Sequence, residues 1–300
     1  MTRLFKILRE SPDGAPRDLE TIRRSFLRKF CGLDNRSSAP FLSGDGFKYL
    51  CDVIYEGDSF RFPKDLTRIK DFPLMVFAQG LPVSRAATEL VQMCSRGYKF
   101  PSASLVIHNC DEIPNVDQMT LLAKSFKRVY SVNWLGDVDL ITPLPIGLEN
   151  RDKRRNGVPS DYAKLLRKGL PTFEQRDINF LVCFSTYTNS PEREEALSFA
   201  KDLHGSYVVK NPVTPKRYRD LVLRSKFVIS PPGNGPDCHR TWEAMYLGAI
   251  PIVKKSSWPF QHKELPVIQI SDWDQLQKHG DWVLPKAHPD WMTIDYWFHR

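Results

Sequence analysis

Short apolar runs alternate with longer mixed segments along most of the chain, and this alternation restricts the possible folds more than any other feature. In the first half these runs are 51–55, 74–78, 104–108 and 128–132. Helix-like stretches at 84–96 and 116–127 separate the last three of them. Unbroken apolar runs divided by helices are typical of parallel strands buried on both faces of a sheet. The first half is therefore predicted to form an α/β unit.

The alternation restarts after a basic connection at 151–177, which is interrupted by glycine and proline and is predicted to hold one short helix. The strands predicted after it are 178–184, 207–210, 226–230, 250–253 and 266–270. Two such units predict an α/β fold with two Rossmann-like lobes that face a cleft. The predicted parts are a basic helical extension (1–48), a first lobe (49–150), the connection (151–177), a second lobe (178–280) and a tail crossing the lobe junction (281–300).

The composition and charge of the chain exclude some classes of protein but do not identify a single function. The six cysteines lie far apart and include no C-x-x-C pair, so we expect neither a zinc site nor a disulfide scaffold, but reduced thiols in the cytoplasm. No apolar run reaches the roughly 18 residues that a membrane span needs, and the first ten residues are too charged for a secretory signal. The net charge of +8 indicates an anionic partner: nucleic acid, an acidic membrane surface or a phosphate-bearing small molecule.

The basic segments allow peripheral contact with a membrane. A predicted amphipathic helix at 19–30 carries arginines and a lysine between its apolar positions, and a solvated surface helix is the alternative interpretation. The basic residues are dispersed over several segments, and no nucleic-acid-binding signature accompanies them, so we expect no nucleic-acid partner. A basic nucleic-acid-binding α/β protein stays open as an alternative function.

The segment 230–244 carries the clearest chemical signal. A strand ends at Ser230, and the loop that follows contains Gly233, Asn234 and Gly235. A helix then begins, with Asp237 as its predicted N-cap. Ligands of parallel sheets bind beyond the carboxyl ends of the strands, where a helix N-terminus attracts anions. An earlier helix is predicted to begin in the same way, with Ser190 as its N-cap.

On the later helix, Arg240 and Glu243 share one side, opposite a bulky core-packing face. The arginine could grip a diphosphate with two hydrogen bonds, and the glutamate could accept hydrogen bonds from ribose hydroxyls. The alternative is a surface ion pair between the two at i,i+3.

The runs 225–233 and 240–253, the latter with its R-x-x-E-A and G-x-I-P elements, resemble the nucleotide-sugar-binding lobe of exostosin-like glycosyltransferases. The likeness covers roughly residues 178–275, and no motif of the first 140 residues extends it. It implies a GT-B-type fold and transfer of a sugar from a nucleoside diphosphate, with UDP the expected nucleotide, to a saccharide acceptor without a cofactor. The donor-binding residues it implies are Arg193 (a loose match), Ser230, Gly233, Asn234, Gly235, His239, Arg240, Thr241 and Glu243.

Transfer with inversion needs a base for the acceptor hydroxyl, and the departing diphosphate needs positive charge, here from Arg240. Asp111 is the first candidate base and Glu112 the second, because they follow the strand that ends at His108. A structural loop carboxylate is the alternative for either. At the seam between the lobes, Glu149 and Asn150 could reach the cleft floor, and His108 is a further candidate for contact with the acceptor.

Two D-x-D tripeptides, 137–139 and 272–274, match a metal-binding pattern of other glycosyltransferases. About two such matches arise by chance in a chain of this composition. We therefore predict that no metal is required, because arginine and the helix N-terminus can neutralise the diphosphate instead. The tryptophans from Trp258 onward are interpreted as packing residues of the tail, with stacking on a sugar as the alternative. Another nucleotide-dependent enzyme, such as an epimerase or dehydrogenase, stays open, although 231–235 is not a G-x-G-x-x-G turn.

Overall fold

The computed structural model describes residues 41–56, 74–80, 85–137, 139–151, 153, 159–260, 265–285 and 290–298. Within them the chain is an α/β protein with two parallel five-stranded sheets, which is compatible with a Rossmann-like fold. The amphipathic helix predicted at 19–30 lies outside the described residues. Within the ranges given above, no helix is both long and apolar enough to cross a bilayer.

The first sheet has its strands in sequence order, all parallel. They are β1 (Val53–Tyr55), β2 (Leu74–Gln79), β3 (Phe100–His108), β4 (Phe126–Val132) and β5 (Ile141–Leu144). Its helices are α1 (Gly44–Tyr49), α2 (Arg85–Ser95) and α3 (Val116–Ala123). The sequence did not predict β5 or α1, because β5 has only four residues including Pro143, and α1 begins with two glycines within three residues.

Alternation along β3 shows how this sheet divides two cores. Leu105 and Ile107 pack in a cluster that includes Leu90 of α2 and Leu122 of α3. Val106 points to the opposite face and joins a larger cluster that reaches the second half of the chain. Side chains of a strand alternate between faces, so both faces of this sheet are buried.

The second sheet has the spatial order β10-β9-β8-β6-β7, again all parallel. Its strands are β6 (Ile178–Val182), β7 (Ser206–Val208), β8 (Ser225–Ile229), β9 (Ile250–Lys254) and β10 (Ile268–Ile270). The helices of this half are α4 (Pro159–Lys168), α5 (Ser190–Ala200), α6 (Pro215–Arg224), α7 (His239–Tyr246) and α8 (Ile294–Phe298), with 3₁₀ turns at Lys255–Ser257 and Trp273–Asp281.

This strand order creates a switch point between β6 and β8. From β6 the chain crosses to β7 on one side, whereas β8 lies on the other side and leads on to β9 and β10. The connections that leave β6 and β8 therefore diverge at the carboxyl edge of the sheet. In doubly wound sheets this divergence opens the crevice in which ligands bind.

Both predicted helix caps are wrong by one position. Ser190 is the first residue of α5, and the cap position belongs to Asn189, whose backbone is left-handed with φ 52°. Asp237 does not cap α7, which begins at His239 after Cys238. The Asp237 carboxylate instead accepts hydrogen bonds from the Ile146 amide at 2.8 Å and from the Trp242 indole, so it joins the two halves of the chain.

Segments from both ends of the described chain pack between the sheets. The Tyr246 hydroxyl accepts a hydrogen bond from the Leu42 amide and donates one to the Met292 carbonyl, both at 2.9 Å. Phe298 stacks edge-on against Phe47 and Tyr130 of the first half. Residues 41–48, predicted as part of an extension, therefore lie in the core together with the tail.

Candidate functional site

The loop after β8 is fixed to the start of α7 by its own hydroxyl groups. Ser230 and Thr241, both buried, share a hydrogen bond of 2.7 Å between their hydroxyl oxygens. The amide of Gly233 donates to the carbonyl of Gly235 at 3.0 Å, which closes the loop on itself. Ser230 and Thr241 thus shape the loop, while Asn234 is its exposed tip.

Two arginines meet at the switch point. Arg193 of α5 reaches across to β8 and donates from Nε to the carbonyl of Pro232 at 2.9 Å. Arg240 of α7 reaches the other way and donates from Nε to the carbonyl of Cys183, just after β6, at 3.1 Å. Its guanidinium also lies over the ring of Phe184, 5.3 Å from the centroid. The two side chains cross the crevice from opposite sides.

Neither guanidinium forms an ion pair with a carboxylate of the residues that the structure describes, although Arg240 is close enough to Glu243 to lower the pKa of that carboxyl group. Their protein acceptors are carbonyl oxygens, with the Cys238 sulfur near Arg240. Arg193 is only 6% exposed. Burial, together with the positive charge of Arg240, lowers the pKa of Arg193 to about 10. A buried cation without a counter-charge is unfavourable. Arg240 is half-buried and lies close enough to Arg193 for their charges to interact, so this arrangement would favour an anion with several oxygens.

Glu243 lies inside the protein, not on the surface beside Arg240. It is 5% exposed, and burial raises the pKa of its carboxyl group. The interactions with His239 and Arg240, and then the nearby hydroxyls of Tyr162 and Tyr218, lower that pKa in part. Neither hydroxyl reaches hydrogen-bond geometry with any described residue. The i,i+3 surface pair with Arg240 is therefore not formed, and the carboxylate is enclosed in this conformation.

Polar groups of the first sheet meet the glycine loop across the junction. Asn234 donates from Nδ2 to Oδ2 of Asp111 at 3.1 Å. Asn133, just after β4, donates to the carbonyls of Cys110 and Asp111, and its Oδ1 accepts from the Asp237 amide at 3.3 Å. Asp111, the first candidate base, thus lies beside the glycine loop, whereas the sequence gave no reason to select Asn133.

Glu149 and His239 also come together from different halves. His239 donates from Nδ1 to the carbonyl of Gly147 at 2.8 Å, which leaves Nε2 facing the Glu149 carboxylate at 3.6 Å. The side chain of Asn150 donates to Oδ1 of Asn109 at 3.0 Å and so supports the loop after β3. Of the two predicted seam residues, Glu149 meets the other half of the chain, whereas the contacts of Asn150 lie within the first half.

His108 is a structural residue in this conformation. It is 1% exposed, its Nδ1 accepts from the amide of Asn109 at 2.8 Å, and its Nε2 contacts the carbonyl of Pro145 at 3.0 Å. Burial lowers the pKa of His108 to about 4, so the ring is neutral at pH 7. It offers no free nitrogen to an acceptor. Glu112 is exposed beside Asp111, on the loop that faces the crevice.

The chain matches no protein-family model, and no curated protein shows significant similarity to it.

Proposed function

We propose that the protein is a glycosyltransferase that moves a sugar from a nucleoside diphosphate, with UDP as the expected nucleotide, to a saccharide acceptor. In this proposal the two sheets are the two lobes of a GT-B-type enzyme, and the junction between them is the active-site cleft. The expected setting is the cytoplasm, where the free cysteines Cys51, Cys94, Cys110, Cys183 and Cys238 would stay reduced.

The pair of Arg193 and Arg240 at the switch point, which forms no direct ion pair with a described carboxylate, carries the proposal. A diphosphate between them would replace carbonyl acceptors by charged oxygens, and hydrogen bonds between charged groups are the stronger ones. The same position of a doubly wound sheet binds nucleotides in unrelated proteins. The sequence resemblance to exostosin-like glycosyltransferases supports the same assignment, since it assigns Arg240 to the diphosphate.

The chemical step breaks the bond between the anomeric carbon and the diphosphate and forms a bond from that carbon to the acceptor oxygen. Negative charge develops on the departing diphosphate, where the two guanidiniums would stabilise it. The acceptor hydroxyl must lose a proton, and we assign Asp111 as the group that takes it. Its hydrogen bond to Asn234 holds the carboxylate beside the loop that would bind the donor.

Thermal shift with a panel of nucleoside diphosphates tests the binding part, because a ligand that binds only the folded state raises the melting temperature. Stabilisation of the full chain by one diphosphate is expected, and Arg240→Ala should remove it. Arg217→Ala is a matched control, since Arg217 is exposed on α6 in the same half. No shift with any nucleotide would overturn the proposal. Release of the nucleotide from a nucleotide sugar then separates a transferase from other nucleotide-binding enzymes.

A further inference from the structure

An exposed tyrosine lies on the loop that leaves the switch point after β6. This loop spans residues 183–189 and leads from β6 into α5. The side chain of Tyr187 is 96% exposed, so both faces of its ring are open to a ligand. Single apolar side chains on a surface are common and need no function by themselves. The position of this loop beside the two arginines is what distinguishes Tyr187.

Both arginines of the crevice hold this loop by its backbone. Arg240 donates from Nε to the carbonyl of Cys183 at 3.1 Å. Arg193 donates from Nη1 to the carbonyl of Ser185 at 2.7 Å. Between these two carbonyls, the ring of Phe184 lies against the guanidinium of Arg240. The first half of the loop therefore forms a wall of the crevice, directly beside the proposed diphosphate site.

The second half of the loop keeps Tyr187 close to that site. The amide of Tyr187 donates to Oγ of Ser185 at 3.2 Å, which forms a tight turn between the two residues. Asn189 then takes a left-handed backbone with φ 52°, and α5 begins at the next residue. Since two residues of chain span at most about 7 Å, Tyr187 stays near the carbonyl that Arg193 contacts.

The shape of a nucleoside diphosphate fits this arrangement. Its phosphates would lie between the guanidiniums, and its base lies beyond the ribose, several ångströms away from them. A ring that stands a short way along the loop from the phosphate site can therefore reach the base. Bases stack on aromatic side chains, and the open faces of Tyr187 offer such a surface. The phenol ring is uncharged, so it would add little to the binding of the phosphates themselves.

We propose that Tyr187 stacks on the base of the bound nucleotide, and that the loop 183–189 covers the base side of the site. This assignment rests on the proposed function, because it takes the diphosphate to lie between Arg193 and Arg240. The diphosphate oxygens would compete for the N–H groups that hold the loop carbonyls, so the loop can adjust as the nucleotide enters. Stacking tolerates every base, so Tyr187 would contribute affinity for the nucleoside and not a choice among bases.

Isothermal titration calorimetry of the full chain tests this role, with UDP, ADP, GDP and inorganic pyrophosphate as probes. The unaltered chain should bind at least one nucleoside diphosphate more tightly than pyrophosphate. Tyr187→Ala should weaken the binding of that nucleoside diphosphate about tenfold, a loss typical of one stacked base, and should leave pyrophosphate binding unchanged. Tyr187→Phe should bind both as the unaltered chain does, because the ring is kept. Tyr207→Ala is the matched control, an exposed tyrosine on β7 of the same sheet.

Arg240→Ala keeps this test separate from that of the proposed function. It should weaken the binding of both the nucleoside diphosphate and pyrophosphate, whereas Tyr187→Ala should weaken only the former. Equal binding of the nucleoside diphosphate by Tyr187→Ala and the unaltered chain would overturn the stacking role and leave the arginine site standing. A parallel loss of pyrophosphate binding in Tyr187→Ala would overturn that role as well. If the unaltered chain bound no nucleoside diphosphate, the stacking role and the proposed function would both be overturned.

Discussion

Asn234 donates a hydrogen bond of 3.1 Å to Asp111, and this contact joins loops that follow strands of two different sheets. The two residues are separated by 123 positions in the sequence, so only the packing of the sheets brings them together. One belongs to the loop proposed to bind the donor, and the other is the proposed base. The contact thus places the proposed base beside the loop that is proposed to bind the donor.

Asp111→Asn should reduce the turnover of a nucleotide sugar by a factor of about 100 or more, since general bases contribute about 10²–10⁴-fold. The amide cannot take the proton of the acceptor hydroxyl. The free energy of unfolding should change by less than about 1 kcal/mol, because the hydrogen bond with Asn234 is exposed and asparagine keeps one acceptor oxygen for it. Steady-state kinetics and urea denaturation measure the two effects.

Glu112→Gln is the control for that change, because Glu112 is the neighbouring exposed carboxylate. It should retain most of the turnover. A large loss in Glu112→Gln together with a small loss in Asp111→Asn would move the role of base to Glu112.

The two glycines of the loop should respond differently to alanine. A Cβ at Gly235 would lie 2.5 Å from the Asp111 carbonyl oxygen and 2.7 Å from Nδ2 of Asn133, so the junction itself would have to shift. We expect Gly235→Ala to lower the free energy of unfolding by about 1–3 kcal/mol. Urea denaturation of the variant and the unaltered chain measures this loss.

A Cβ at Gly233 would meet only the guanidinium of Arg193, at 2.9 Å from Nη2. The end of that side chain can move, so Gly233→Ala should cost less than about 0.5 kcal/mol of stability. It should nevertheless reduce the thermal shift with UDP, because it displaces one of the two cations. Equal UDP shifts in Gly233→Ala and the unaltered chain would contradict a role of Arg193 in diphosphate binding.

His108 should make the protein less stable in acid. Its pKa is about 4 in the folded state, against an ordinary value of 6.5, so the unfolded chain binds the extra proton between these values. Its contribution is complete above pH 6.5 and is lost as the pH falls towards 4, which amounts to about 2 kcal/mol at pH 5. His108→Gln should remove this dependence.

Urea denaturation at several pH values, with the unaltered chain and His108→Gln compared at each, measures it. The comparison cancels the effect of Asp237, whose pKa burial raises to about 7 and which acts in the opposite direction. Parallel stability curves for the two proteins would show that His108 does not titrate as described.

Arg176 provides a contrast to Arg240. Its buried guanidinium donates to four carbonyls, which belong to Pro171, Val222, Ser225 and Leu247. Arg176→Lys should lower the free energy of unfolding by about 2–4 kcal/mol, because lysine leaves several of these acceptors unpaired. The thermal shift with UDP should persist. Arg240→Lys should leave the free energy of unfolding nearly unchanged and should reduce the thermal shift with UDP.

The strands of both sheets follow from the sequence because each is an unbroken apolar run between turn residues. The strand at Ile141–Leu144 escaped prediction, since Pro143 interrupts a run of four and edge strands tolerate proline. The cap of α5 was misplaced because Asn189 takes a left-handed backbone that its sequence neighbours do not reveal.

Only part of the candidate site could be predicted from the sequence. The strand, glycine loop and arginine of residues 230–240 are contiguous, so local rules find them. Contacts such as Asn133 with Asp237, or His239 with Glu149, depend on how the two sheets pack, and a single sequence carries no signal of that packing. The burial of Glu243 has the same origin, since Tyr162 and Tyr218 cover it from two other helices.

The hydroxyl of Tyr246 forms hydrogen bonds with two residues that are synthesised at very different times. Its donor, Leu42, precedes it by 204 positions, and its acceptor, Met292, follows it by 46. The first sheet can assemble early during synthesis, but its inner face stays uncovered until the segment at 290–298 has emerged. The cluster that joins the two halves can therefore be completed only after the second sheet has been synthesised, and we expect apolar surface of the first sheet to be exposed during that interval.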